Sequence, residues 1–269
     1  MEIFILILIA IAIIYILYKF KVPKFCCMCL ISGGVKTGKS TLSVYLAIKR
    51  FKANLRAVKF RNFFRKLFRR APLELPLLYS NIPLNVPYVP LTMKLINREA
   101  RFRYGSVIYV NEASLFSDSQ MVKDMDLNNR LLMFNKLIGH ELLGGYIIYD
   151  TQAIVDLHYS VKRCLSNYFY IHHLSKWIPF FMVAHVRECI YSDDGSVLNT
   201  FDKDVEESLT RIIIPKKVWK KFDAYCYSYA TDSLPVYDKV VKHPSTLKVK
   251  KLTTFNEDIR SNYYAKKDD

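Results

Sequence analysis

Glycine and proline are scarce, 8 and 10 among 269 residues, which excludes collagen-like, linker-like and low-complexity architectures. No segment recurs at a fixed period, so a solenoid is excluded too. Cysteine is sparse and badly spaced for bridging. Cys26, Cys27 and Cys29 crowd one apolar segment, while Cys164, Cys189 and Cys226 are scattered. This is neither a disulfide ladder nor paired C-x-x-C zinc knuckles, and reduced thiols buried in strands account for it. His140, His158, His172, His173 and His185 form no H-x-x-H or H-E-x-x-H pattern, so no metal site of that kind is expected. Acids are missing where bases are densest. Residues 1–76 carry 15 Lys and Arg against Glu2 and Glu74, whereas 77–269 carry 25 against 22. The formal net charge of +16 is therefore concentrated near the N-terminus, which points to an anionic partner there. What is abundant is apolar material: 51% hydrophobic and 14% aromatic residues suffice for a large core and exclude wholesale disorder.

The first apolar run, Ile3 to Tyr18, has no charge and is followed at once by Lys19, Lys21 and Lys24. With its flanks it reaches about 27 Å as a helix, enough for a thin bilayer with snorkelling lysines. Residues 1–20 are thus expected to form a transmembrane anchor. Neither a basic n-region nor an A-x-A site marks it as a cleaved signal. The lysine-rich flank predicts an N-terminus outside and the body in the cytoplasm.

Phe25 to Ile31 is an apolar run of strand length. It leads into Gly33-Gly34-Val35-Lys36-Thr37-Gly38-Lys39-Ser40-Thr41 and then an apolar-periodic helix through Leu42, Tyr45, Leu46 and Ile48. This is G-x-x-x-x-G-K-[ST] in strand-loop-helix context, the pattern of a phosphate-binding loop. Its glycines let backbone N–H groups turn inward as an anion nest at a helix N-terminus. Lys39 is expected to reach the β- and γ-phosphates of ATP, and Ser40 to ligate Mg²⁺. A second buried strand, Val107 to Val110, ends in Asn111-Glu112. Glu112 fits a base that orients attacking water, and Asn111 a residue that hydrogen-bonds a metal-bound water without bringing charge. A third, Tyr146 to Tyr149, ends in Asp150-Thr151-Gln152, where Gln152 is the expected γ-phosphate sensor.

The order and spacing of these motifs resemble the assembly ATPases of filamentous bacteriophages, the family that includes the zonula occludens toxin domain. The likeness runs from about Cys27 to Leu174. Leu78-Tyr79-Ser80-Asn81-Ile82 resembles the family's hydrophobic strand followed by Asn. Gly145 to Gln152 with Ile154-Val155-Asp156 resembles its strand-Gln segment and helix start, Asn167 to His172 its next strand, and Lys217 to Asp223 more weakly a segment beyond the core. Two features depart from the family pattern: the apolar run precedes the ATPase region, and Asn111 stands where Asp is usual. The resemblance implies an ATPase using ATP and Mg²⁺ at the host bacterial inner membrane. It would form a homo-oligomeric ring that acts with phage coat or assembly proteins to extrude virions containing single-stranded DNA. Arg130 or Arg163 would then supply an arginine finger to a neighbouring subunit. A DNA-translocating ATPase and a nucleotide-gated scaffold without turnover are the alternatives.

Fold class follows from pattern alone. Apolar runs at 25–31, 77–80, 107–110, 146–149 and 168–172 alternate with helical stretches, as in a three-layer α/β fold with a mainly parallel sheet. Residues 21–175 are expected to form the P-loop domain. From Trp177 the alternation stops, predicting a small α+β extension over 176–245, with a hairpin about Asp193-Asp194-Gly195 and a short basic helix from Pro215 to Phe222, then a polar tail over 246–269. Within the P-loop domain, residues 49–70 hold ten Lys and Arg, no acid, and interleaved phenylalanines and leucines. This stretch is expected to be an insertion into the domain, a basic amphipathic helix docking on anionic inner-membrane lipids, with single-stranded DNA the competing partner.

Overall fold

The computed structural model describes residues 27–97, 101–116, 125–176, 179–191, 197–198 and 209–222. The expected anchor over 1–20, the turn at 193–195 and the tail over 246–269 lie outside these residues. Among the described residues no helix is long and apolar enough to cross a membrane.

Among the described residues the centre is a nine-stranded sheet. Its strands are β1 (Met28–Ser32), β2 (Leu78–Ser80), β3 (Val89–Pro90), β4 (Val107–Val110), β5 (Tyr146–Thr151), β6 (Asn167–Ser175), β7 (Phe181–Tyr191), β8 (Val197–Leu198) and β9 (Thr210–Pro215). The order is β3-β2-β4-β5-β1-β6-β7-β8, with β9 also on β7. From β3 to β6 every pairing is parallel. Helices cover both faces, which explains why β1, β4 and β5 read as unbroken apolar runs rather than alternating ones. On one face Cys29, Ile31, Val107, Tyr109, Ile148 and Phe169 pack with Leu42, Leu46 and Ala47 of α1 (Lys39–Leu67). On the other, Leu30, Tyr79, Ile108, Val110, Ile147 and Tyr149 meet Phe134, Ile138 and Leu142 of α4 (Met125–Leu142). Single-turn helices α2 (Met93–Ile96), α3 (Ala113–Phe116) and α5 (Tyr159–Lys162) complete the connections.

Two expectations need correction. The segment beyond Trp177 does not start a separate extension, because β7 pairs antiparallel with β6 and β9 with β7, carrying the same sheet onward. Pairing satisfies the outer edge of β6, whose N–H and C=O groups would otherwise be open. Ile212 and Ile214 of β9, and Val218 of the 3₁₀ helix Lys216–Lys221, belong to the α1-side core. Nor is the basic stretch an insertion: it is the outer half of α1, continuous with the P-loop helix for 29 residues, about 43 Å. Asn54 marks the change, its Nδ2 donating to Gly105 O at 2.7 Å and Gly144 O at 3.2 Å, in the turns that precede β4 and β5. Beyond Asn54 the helix passes the sheet, and Phe60, Phe63, Phe64, Leu67 and Phe68 are exposed. Asn62 ties the returning chain to it, donating to Leu73 O at 2.8 Å and accepting from Leu73 N at 2.7 Å.

Candidate active site

The loop after β1 can lie against β6 only because residue 33 has no side chain. A Cβ on Gly33 would come within 2.5 Å of Ile171 Cγ2 and 2.8 Å of Ile171 O. Lys36 at φ 62° and Gly38 at φ 94° supply the left-handed turns that carry the chain back to the helix. Thr37 Oγ1 donates to Gly34 O at 2.8 Å and closes the loop on itself. Among the described residues no side chain caps the start of α1, and its first turn contains no acid. Its N–H groups and the positive end of its dipole are thereby left for an external anion. Val35 and Lys36 are exposed at the loop tip, whereas Thr41 is buried and Ser40 half-buried.

Lys39 and Glu112, 73 residues apart in sequence, meet with Nζ donating to Oε1 at 2.6 Å. Their side chains are only 9% and 18% exposed, so the pair is shielded from solvent screening. Topology makes this encounter possible, since β4 and β1 flank β5 and all three end at the same sheet edge. Glu112 adopts φ 47°, a left-handed conformation that costs a non-glycine residue about 1–2 kcal/mol. Two side chains hold the segment in place. Asn81, just after β2, accepts from Asn111 N at 2.7 Å and donates through Nδ2 to Asn111 O at 2.9 Å. Asp150 Oδ1 accepts from Glu112 N at 2.7 Å.

Asp150 is the residue the sequence reading passed over. It is fully buried near the end of β5, and its Oδ2 accepts from Tyr109 Oη at 2.8 Å. The same hydroxyl lies 2.9 Å from Asn111 Oδ1, and the Ser40 side chain beside it partly offsets the rise that burial imposes on the Tyr109 pKa. Ser40, Tyr109, Asn111 and Asp150 thus form one polar cluster at the mouth of the P-loop. Gln152, two residues on, is exposed. Arg163 is exposed and stacks over Tyr159 with its guanidinium carbon 5.3 Å from the ring centroid, and Arg130 is exposed on α4. The available signal for Asp150 was a lone acid closing a buried strand, Tyr-Ile-Ile-Tyr-Asp.

Burial pushes the Asp150 carboxyl up to about 6; the hydrogen bonds from Glu112 N–H and Tyr109 oppose the rise, the Glu112 charge adds to it, and Lys39 offsets part of it. A folded-state value above the ordinary 3.8 means that the folded protein binds the extra proton. Stability from this group is fully present below pH 3.8 and is lost as pH rises through 6. The accumulated cost at pH 8 is on the order of 2–3 kcal/mol. Asp150→Asn removes it while its amide oxygen can still accept from Glu112 N and its amide N–H can donate to Tyr109. The variant is therefore expected to gain stability over the parent at pH 8 but little at pH 4, by urea unfolding in EDTA without nucleotide. A gain independent of pH would contradict this account of Asp150.

The oxygen donors fit a nucleotide-bound Mg²⁺, which takes one or two protein groups alongside phosphates. Among the described residues no group of three His, Cys, Asp or Glu forms a site for a metal held by protein alone. Ser40 offers a hydroxyl, Asn111 an amide oxygen and Asp150 a carboxylate, while the Gly33–Thr41 loop and Lys39 suit the phosphates.

No protein-family model matches the sequence, and no curated protein matches it either. Among solved structures, the N-terminal domain of zonular occludens toxin from Neisseria meningitidis is similar at 14% identity and TM-score 0.43, over 74% of this chain and 100% of that one. The genome packaging NTPase of Sulfolobus turreted icosahedral virus 2, in complex with ATP-gammaS, is similar at 12% identity and TM-score 0.31, over 64% of this chain and 94% of that one. At these identities the likeness assigns no residue a role.

Proposed function

We propose that this chain is a membrane-anchored P-loop ATPase that drives assembly and extrusion of filamentous phage virions through the host inner membrane. The observation that carries the enzymatic part is the 2.6 Å pairing of Lys39 with Glu112 at the mouth of the glycine loop. Backbone N–H groups of Gly33–Thr41 bind the phosphates, and Lys39 exchanges Glu112 for phosphate oxygens as they arrive. That exchange frees Glu112 to take the proton of the attacking water. Asn81 and Asp150 keep the Glu112 backbone where its carboxylate can do so. Bound Mg²⁺ would neutralise the charge that develops between the β- and γ-phosphates. Gln152, exposed beyond β5, is suited to reach a γ-phosphate only from the rim.

The membrane and virion parts rest on the motif order, the apolar run at 3–18 and the outer half of α1. There Phe60 and Phe64 stand edge to face at 4.9 Å, Phe63 and Phe64 at 5.6 Å, and Phe60, Phe63 and Phe68 are each about two-thirds exposed. Such a face, flanked by Arg56, Lys59, Arg61, Arg65 and Lys66, matches an anionic leaflet in both charge and apolarity. Each basic residue near that surface contributes about 1 kcal/mol. A chain shortened by residues 1–20 is expected to float with anionic liposomes and release in salt. Changing Phe60, Phe63, Phe64 and Phe68 to Ser should weaken binding at least ~100-fold. Binding indifferent to those substitutions would remove the leaflet as partner.

The assembly reading itself is tested by steady-state ATP hydrolysis of the full chain in anionic nanodiscs, with and without single-stranded DNA. Hydrolysis independent of DNA is expected. Strong stimulation by DNA would make the chain a DNA translocase instead, and absence of hydrolysis would leave only a nucleotide-gated scaffold.

A further inference from the structure

We infer that Asp150 supplies the negative charge of the Mg²⁺ shell that Asn111 lacks, so that the site's metal-directed carboxylate has moved from the end of β4 to the end of β5. The inference rests on the nucleotide-binding reading and goes beyond it by assigning the metal-side acid. It stands on placement. The parallel register pairs Val110 with Tyr149, and the next step along both chains sets position 111 beside position 150. Both side chains lie on the α1 face of the sheet, on either side of one hydroxyl, with Tyr109 Oη 2.9 Å from Asn111 Oδ1 and 2.8 Å from Asp150 Oδ2. Ser40, the residue of the loop that suits the metal, lies beside the same Tyr109 side chain. A charge at position 150 is therefore offered to nearly the same place as one at 111.

The carboxylate has capacity for this task. It uses one acceptor direction on each oxygen, for Glu112 N and Tyr109 Oη, and an ionised carboxylate offers about four. A purely structural acceptor at this position would not need a charge. An asparagine would keep the Glu112 contact through its amide oxygen and could donate to Tyr109, whose own proton would turn to Asn111. The sequence has nonetheless placed a fully buried acid here, where ionisation is costly unless a cation compensates.

Asp150→Asn removes the charge and keeps the backbone contact, which makes it the discriminating variant. Calorimetry of ATP binding by the full chain, with Mg²⁺ or with EDTA, and paramagnetic titration of Mn²⁺ into the protein–ATP complex separate metal from phosphate. Asp150→Asn is expected to weaken Mn²⁺ binding about 10- to 100-fold without weakening ATP binding in EDTA, where loss of a negative charge beside the phosphates can only favour the nucleotide. The double variant Asn111→Asp/Asp150→Asn, which moves the charge across the Tyr109 hydroxyl, should recover most of the lost Mn²⁺ affinity. Unchanged Mn²⁺ affinity in Asp150→Asn, or a double variant as weak as the single, overturns the inference while nucleotide binding stands. Failure of the parent chain to bind ATP in either condition overturns the nucleotide reading and this inference with it.

Discussion

Glu112→Gln should lower ATP turnover at least ~100-fold, the usual contribution of a positioned general base, while ATP remains bound. The substitution keeps size and an oxygen that can still accept from Lys39 Nζ, so neither the loop nor the strained backbone at φ 47° loses a contact. What it removes is the charge that competes with phosphate for Lys39 and the lone pair that takes a proton from water. The first loss favours nucleotide binding and the second stops its consumption. Gel filtration after incubation with ATP and Mg²⁺ should find ATP on the variant and ADP released by the parent. Equal ADP release by both would mean that the strand carrying Asn111-Glu112 does not carry the base.

The parallel half of the fold was legible because its strands are buried on both faces. Apolar runs such as Val107 to Val110 and Tyr146 to Tyr149 carry that information locally, and the glycine loop between strand and helix fixes its own context. The antiparallel half was not. A hairpin from Phe180 to Phe201 could be read from its turn residues Asp193-Asp194-Gly195, but the union of its first strand with β6 is a contact between edges that no local pattern records. The outer half of α1 was legible as a basic apolar helix, and its continuity with the P-loop helix follows from the absence of Gly or Pro between Lys39 and Ala71. At the site, Lys39 and Glu112 were singled out one by one, each from the end of its own strand. Their pairing needed the sheet order, in which β5 separates β1 from β4. Asn81 stood out only as a strand-end residue, and its two bonds to the Asn111 backbone explain why an amide is useful there. Asp150 was missed because a strand-end acid is ordinarily solvated, and only the packing of Tyr109 over it reveals a buried carboxylate.

Everything functional here depends on the Gly33–Thr41 loop taking ATP through Lys39. Lys39→Ala deletes the cation that faces the phosphates and leaves Glu112 without its partner, at a position just inside α1 where alanine is a favourable helix residue. The helix and loop should persist, so circular dichroism and thermal unfolding serve as controls for the fold. Removing one preorganised cation from a shielded phosphate site is expected to cost about 100-fold or more in affinity or turnover. The direct measurement is calorimetric titration of ATP with Mg²⁺ into the full chain and into Lys39→Ala, with ADP release followed in the same samples. The account predicts saturable binding and turnover by the parent and loss of both, at least to about one hundredth, in a folded variant. Equal binding and turnover by the two proteins would contradict it.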